Sequence, residues 1–216
     1  MDRPMMTTPE KPTRLDPTSD LSHQDLVAKV NAMEVELREL RQFRDMAYRD
    51  PLTSLRNRRY FDLRFREELH RAQRSLEGHC SLVMIDLDDL KKINDLQGHR
   101  AGDQALQWVA KFLEGELRQN DICCRLGGDE FVLLLPDTDV AGRRLVMDRI
   151  WDNLRSANAR RHDVMRFSMG GATWPVDGAS AEALYEKADK AMYRSKRLNK
   201  QMTSPEKLSA AGGFVD

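Results

Sequence analysis

The stretch CRLGGDEFVLLLP, residues 124 to 136, sets two glycines and two acids between apolar runs, where a hairpin tip would fall. Gly127 and Gly128 supply the positive φ that such a tip needs. Asp129 and Glu130 follow directly, and a third acid, Asp86, closes the apolar run of HCSLVMIDLDD. If that run is a strand paired with the hairpin, neighbouring backbones stand about 4.8 Å apart and Asp86 comes close to Asp129. Like charges at that distance repel and raise a pKa unless a divalent cation lies between them. Hard oxygen donors select Mg²⁺ or Mn²⁺, and Mg²⁺ commonly keeps waters and takes substrate phosphates as its remaining ligands. The glycines, without side chains, leave room for a nucleotide against the turn. A plainer reading stands beside this one: Asp and Gly are ordinary turn residues, and a strand-end Asp often caps a helix.

These residues need elements to carry them. Pro51 in RDPLTSLRNRRYF interrupts what precedes, and a helix is expected from about Ser54 to Ser75. HCSLVMIDLDD reads as a buried strand ending in acids. A short helix from Leu90 to Leu96, a turn at Gly98 and a longer helix from about Ala101 to Leu117 follow, the last with Trp108, Val109, Phe112 and Leu113 inward. DICCRL and FVLLL form the hairpin, VAGRRLVMDRIWDNLRSA a helix, VMRFSMGGATW a strand and AEALYEKADKAMYRSKRL a final helix. Strands interleaved with helices, yet including a hairpin, predict an α+β fold: a mixed, mainly antiparallel sheet flanked by helices.

The 216 residues, 40% of them apolar, suffice for one domain of ordinary size and an appendage. Lys plus Arg equals Asp plus Glu at 35 each, so no broad attraction to nucleic acid or a membrane surface is implied. No apolar run approaches the roughly 20 residues of a spanning helix. The N-terminus is polar and proline-rich, without an apolar signal core, so a cytoplasmic protein is expected. Cys80, Cys123 and Cys124 lie in apolar stretches without metal-ligand spacing and read as reduced core residues. Residues 1–20 carry four of the eight prolines and read as a disordered tail, as do residues 203–216. Between residues 21 and 48, a Ser22 cap precedes Leu26, Val30, Met33, Leu37 and Leu40, a seam with alternating steps of four and three. Such a seam suits a dimeric coiled coil; one amphipathic helix packed on its own domain is the alternative.

With these motifs in place, the chain resembles the GGDEF-domain diguanylate cyclases. GGDEF stands at Gly127 to Phe131, preceded by DxDxxKxxND at Asp86 to Asp95, GHRAGD at Gly98 to Asp103 and DPLTSLRNRR at Asp50 to Arg59. FSMGGATWPVDG and ADKAMYRSK also match, so the resemblance covers roughly residues 47 to 202, with 49–202 as the catalytic domain. It implies a palm-like fold that joins two GTP molecules into cyclic dimeric GMP with release of two pyrophosphates. Carried over by position, Asp86 and Asp129 resemble metal ligands, with the Leu87 carbonyl contributing. Glu130 resembles an acid that either completes metal binding or assists deprotonation of the attacking 3′-hydroxyl. Asn94 and Asp103 resemble guanine readers: a carboxylate accepts from N1 and N2 hydrogens that adenine lacks as a pair, and an amide donates to the ring.

Lys196 and Lys200 resemble the triphosphate-holding cations. Here the sequence departs from the family pattern: Ser195 replaces alanine, Asn199 glycine and Lys200 arginine, and Lys200 loses the bidentate fork. Leu90 stands where phenylalanine is commoner. RQND, Arg118 to Asp121, resembles the family's RxxD inhibitory site for product, with Arg149 as a further contributor. The resemblance also implies a homodimer, because each domain holds one GTP and the reaction needs two. The seam at residues 21–48 would tether the pair, under an upstream regulator that the sequence leaves unidentified. The alternative is a catalytically silent module that binds cyclic dimeric GMP or GTP.

Overall fold

In the computed structural model, residues 22–159 and 164–202 are described; the expected tails at 1–20 and 203–216 lie outside them. The chain divides into two compact units, one up to Met46 and one from Ala47 onward.

The described residues of the first unit form a helix, α1 (His23–Ala47), whose last residue is the first of the second unit. Ser22 and Asp25 close its start reciprocally: the Ser22 hydroxyl accepts from the Asp25 amide at 3.2 Å, and the Asp25 carboxylate accepts from the Ser22 amide at 3.1 Å. No α1 residue is buried in the single chain, so Leu26, Val30, Met33, Leu37 and Leu40 all face outward.

In the second unit the elements run β1 (Arg56–Asn57), α2 (Arg58–Gln73), β2 (Cys80–Leu87), α3 (Leu90–Gln97), α4 (His99–Gly115), β3 (Ile122–Gly127), β4 (Glu130–Pro136), α5 (Val140–Asn158), β5 (Phe167–Trp174) and α6 (Ala181–Met202). They build a five-stranded sheet in the order β1-β3-β4-β2-β5. Among the described strands only β1 and β3 run parallel; the other pairings are antiparallel, as expected for the α+β class. All eight residues of β2 are buried, because it is paired on both edges and covered on both faces.

Alternation along the strands sends side chains into two cores. Val83, Ile85 and Leu87 of β2 join Phe131, Leu133 and Leu135 of β4 against α4 and α5. Leu82 and Met84 join Val132 and Leu134 against Phe61, Phe65 and Leu69 of α2 and Leu184, Ala188 and Met192 of α6. Cys123 and Cys124, adjacent in β3, enter opposite cores. All three cysteines are free and buried, and burial pushes the Cys80 and Cys124 thiols up to about 12. Val109 and Leu113 are fully buried as expected, whereas Trp108 and Phe112 are half-buried and stack on each other.

Several boundaries differ from the sequence reading. The helix expected from Ser54 starts at Arg58: Ser54 has φ 63°, Arg56 and Asn57 pair with β3, and the Asn57 side chain caps α2 by accepting from the Tyr60 amide at 3.1 Å. Helix α4 starts at His99 rather than Ala101, directly after Gly98 at φ 85°. Strand β5 starts at Phe167 instead of Val164, and α6 continues to Met202.

Candidate active site

At the tip joining β3 to β4, Gly127 has φ 144° and Gly128 φ 53°, and a Cβ added at either would meet only open space. The backbone thus requires glycine there, and the space beside it is free for a ligand. The β2/β4 ladder places Asp86 opposite Glu130. By alternation Asp86 shares the face of Leu82 and Met84, the face covered by α6. There Lys196 Nζ donates to both Asp86 carboxylate oxygens at 2.6 Å. The Leu87 amide donates to the Asp129 carbonyl at 3.0 Å and ties the end of β2 to the tip.

Burial pushes the Asp86 carboxyl above its ordinary value, and the neighbouring charges of Asp129 and Asp88 add to this while Lys196 partly offsets it. Burial works against the Lys196 ammonium, yet Asp86, Asp129 and Asp88 outweigh it and raise its pKa. Two acids within electrostatic reach, held beside a cation, suit a hard divalent ion. Among the described residues no group of three His, Cys, Asp or Glu side chains is already gathered for a metal, so Asp86, Asp129 and Glu130 would have to close on an ion, with backbone, water or phosphates as its other ligands.

Asn94 and Asp103 come from neighbouring helices. Asn94 is half-buried on α3, and Gly102 of α4 packs so tightly on it that a Cβ would overlap the Asn94 side-chain oxygen. Asp103 is exposed and follows Gly102 inside α4, so it is no helix cap. Leu90, half-buried, packs on the core beneath these helices. Lys200 is exposed on the last turn of α6.

Arg118 and Asp121 lie in the turn between α4 and β3. The Asp121 carboxylate accepts from the Arg118 amide at 3.0 Å, and the Asp121 amide donates to the Arg118 carbonyl at 3.1 Å. Both residues line two recesses, one of about 270 Å³ with His79, Asp137 and Gly142, the other of about 440 Å³ with Arg49, Arg56 and Tyr60. Arg149 lines neither recess; its guanidinium donates to the Glu116 carbonyl and lies 3.5 Å from the Glu116 carboxylate.

The sequence reading missed a clamp on the tip. Arg125 donates through Nε and Nη2 to the Gly128 carbonyl at 3.1 and 2.8 Å, and through Nη1 to Asp50 at 3.0 and 3.2 Å. Asp50 also accepts from the Thr53 amide and hydroxyl at 2.8 and 2.7 Å. Burial alone would raise the Asp50 carboxyl, but these donors hold it below its ordinary value. An arginine between buried Cys124 and Leu126, with an aspartate far upstream, was the available signal.

Comparison with known proteins agrees with this geometry. The family model described as diguanylate cyclase, GGDEF domain, matches residues 47–202. Diguanylate cyclase DgcP of Pseudomonas aeruginosa is 36% identical over 82% of this chain and 27% of its own length. Diguanylate cyclase DgcS of Shewanella oneidensis is 34% identical over 78% and 57%. The chain therefore spans only part of the length of these relatives. Among solved structures, the coiled coil and GGDEF domain of DgcB from Caulobacter crescentus, in complex with c-di-GMP, matches with TM-score 0.70 and 29% identity over 81% of this chain and 94% of that one. Diguanylate cyclase SiaD of Pseudomonas aeruginosa, in complex with its activator SiaC, matches with TM-score 0.64 and 34% identity over 82% and 71%. An acid-bearing strand end, a glycine tip and this match over most of its length make the chain a member of the GGDEF-domain diguanylate cyclase family.

Proposed function

We propose that the protein is a diguanylate cyclase, a nucleotidyltransferase that condenses two GTP into cyclic dimeric GMP and two pyrophosphates. The observation that carries this reading is the meeting of Asp86, Lys196 and the Gly127–Gly128–Asp129 tip at one sheet end. Asp86, Asp129, Glu130 and the Leu87 carbonyl would hold Mg²⁺ or Mn²⁺. Such an ion neutralises charge on phosphate and lowers the pKa of a hydroxyl.

The chain's own groups orient the nucleotide. Asn94 and Asp103 read the guanine edge, the bare tip admits ribose and phosphates, and Lys196 turns from Asp86 toward the triphosphate, assisted by Lys200. Glu130, opposite Asp86, serves either as a further ligand or as the acceptor of the 3′-hydroxyl proton.

Residues 49–202 form the catalytic domain in this reading, and residues 21–48 the dimerising helix. Two copies face each other so that each 3′-hydroxyl meets the other's α-phosphate, and a parallel pairing of α1 through Leu26, Val30, Met33, Leu37 and Leu40 keeps them together. Product returns to Arg118 and Asp121 and arrests turnover. Arg149, engaged with Glu116, joins that site by releasing its present partner.

Purified protein, stripped of nucleotide and incubated with GTP and Mg²⁺ or Mn²⁺, should yield cyclic dimeric GMP resolved by chromatography. Asp129→Ala should abolish product while the circular dichroism spectrum stays unchanged. Arg118→Ala should relieve inhibition by added product. Lack of product from the wild-type chain, or full activity of Asp129→Ala, would overturn the reading.

A further inference from the structure

The last turns of α6 are fastened to the acid-bearing end of β2 at two points. One turn carries Lys196, whose ammonium bridges both oxygens of Asp86. Three residues on, and so on the same helix face, Asn199 reaches the chain just past β2. Its Nδ2 lies 3.2 Å from Asp88 Oδ2, 3.1 Å from the Phe167 carbonyl and 3.2 Å from Ser168 Oγ. Ser168 Oγ in turn donates to Asp88 Oδ1 at 2.7 Å. Asp88 and Ser168 are both buried, and the half-buried Asn199 amide completes the polar cluster they form.

We infer that Asn199 is the positioning residue for Lys196: it pins the end of α6 to Asp88 and Ser168, so that Lys196 exchanges Asp86 for phosphate by side-chain rotation alone. This rests on the reading of Lys196 as a triphosphate ligand. The residue types support it. Glycine, the usual residue in the resembling family, offers no side-chain donor and weakens a helix interior, whereas asparagine supplies two amide hydrogens to acceptors already fixed by β2 and β5. An anchored helix end also suits a chain whose neighbouring cation, Lys200, lacks the arginine fork. A lysine on a frayed turn spends part of its time out of reach; a pinned one presents its charge in one place.

Asn199→Ala removes the amide while favouring the helix, so any loosening comes from the lost hydrogen bonds rather than from lower propensity. Without ligand, amide hydrogen exchange over residues 195–202 should quicken by about five-fold, the equivalent of one ordinary hydrogen bond. With GTP, KM should rise by about five-fold while kcat stays within about two-fold, the pattern of lost uniform binding. In a Lys196→Ala, Lys200→Ala background, Asn199→Ala should add no further change in KM, because the pin then has no cation to position. Unchanged exchange, an unchanged KM, or the same KM increment in both backgrounds would each overturn the inference. If the wild-type chain makes no product, the functional reading fails, and the exchange measurement still decides whether Asn199 is the pin.

Discussion

Asp50 lies far from Gly128 in sequence, yet through Arg125 it helps to fix the carbonyl of the signature turn. A guanidinium that uses all three of its nitrogens on a carboxylate and a carbonyl holds both in a set relation that a lysine could not reproduce. The Asp50 carboxyl is held below its ordinary value of 3.8. Its contribution to stability is therefore complete above that value and is lost as pH falls through the lowered folded one. Asn at this position should lower stability near pH 7 by about 2 kcal/mol, the worth of charged hydrogen bonds. In urea titrations the gap between Asp50→Asn and wild type should close as pH drops below 3.8. A gap that persists unchanged at pH 3 would show that Asp50 acts through shape alone.

Helices α3 and α4 approach closely at Asn94 because Gly102 leaves no intervening side chain. Gly102→Ala should push the Asn94 amide aside and lower affinity for a non-hydrolysable GTP analogue about ten-fold by calorimetry, with a modest loss of stability from overpacking. Unchanged affinity would separate Asn94 from guanine reading. The core strands and the helices over them were legible in the sequence because each carries its own period: continuous apolar character in β2 and FVLLL, and the steps of three and four through α4. Strand β1 was not, since two residues carry no period and their partner Cys124 lies far along the chain. The start of α2 was placed at about Ser54 because the pairing of Arg56 and Asn57 with β3, which moves it to Arg58, depends on a distant strand. The acids and glycines of the tip declared themselves by type and spacing. Arg125, Asp88 and Ser168 did not, because their meaning comes from partners that only the folded sheet supplies.

The proposed dimer makes a prediction for the kinetics of the whole chain. If two facing copies complete the reaction, specific activity should fall on dilution below the dimer dissociation constant, and Leu37→Lys in α1 should move that fall to higher concentration. Sedimentation velocity on both proteins checks the association directly. Activity per chain that stays constant on dilution, with a monomer in the centrifuge, would contradict a shared site. The ladders through β2 carry a separate lesson. Asp86 meets Glu130 at one end of seven consecutive rungs to β4 and meets Ser168 within eight rungs to β5. Adding or deleting one residue inside either ladder would turn the acids to the opposite face. Insertions should therefore be borne more easily at connections such as the exposed turn at Leu76 than inside the unbroken ladders of β2.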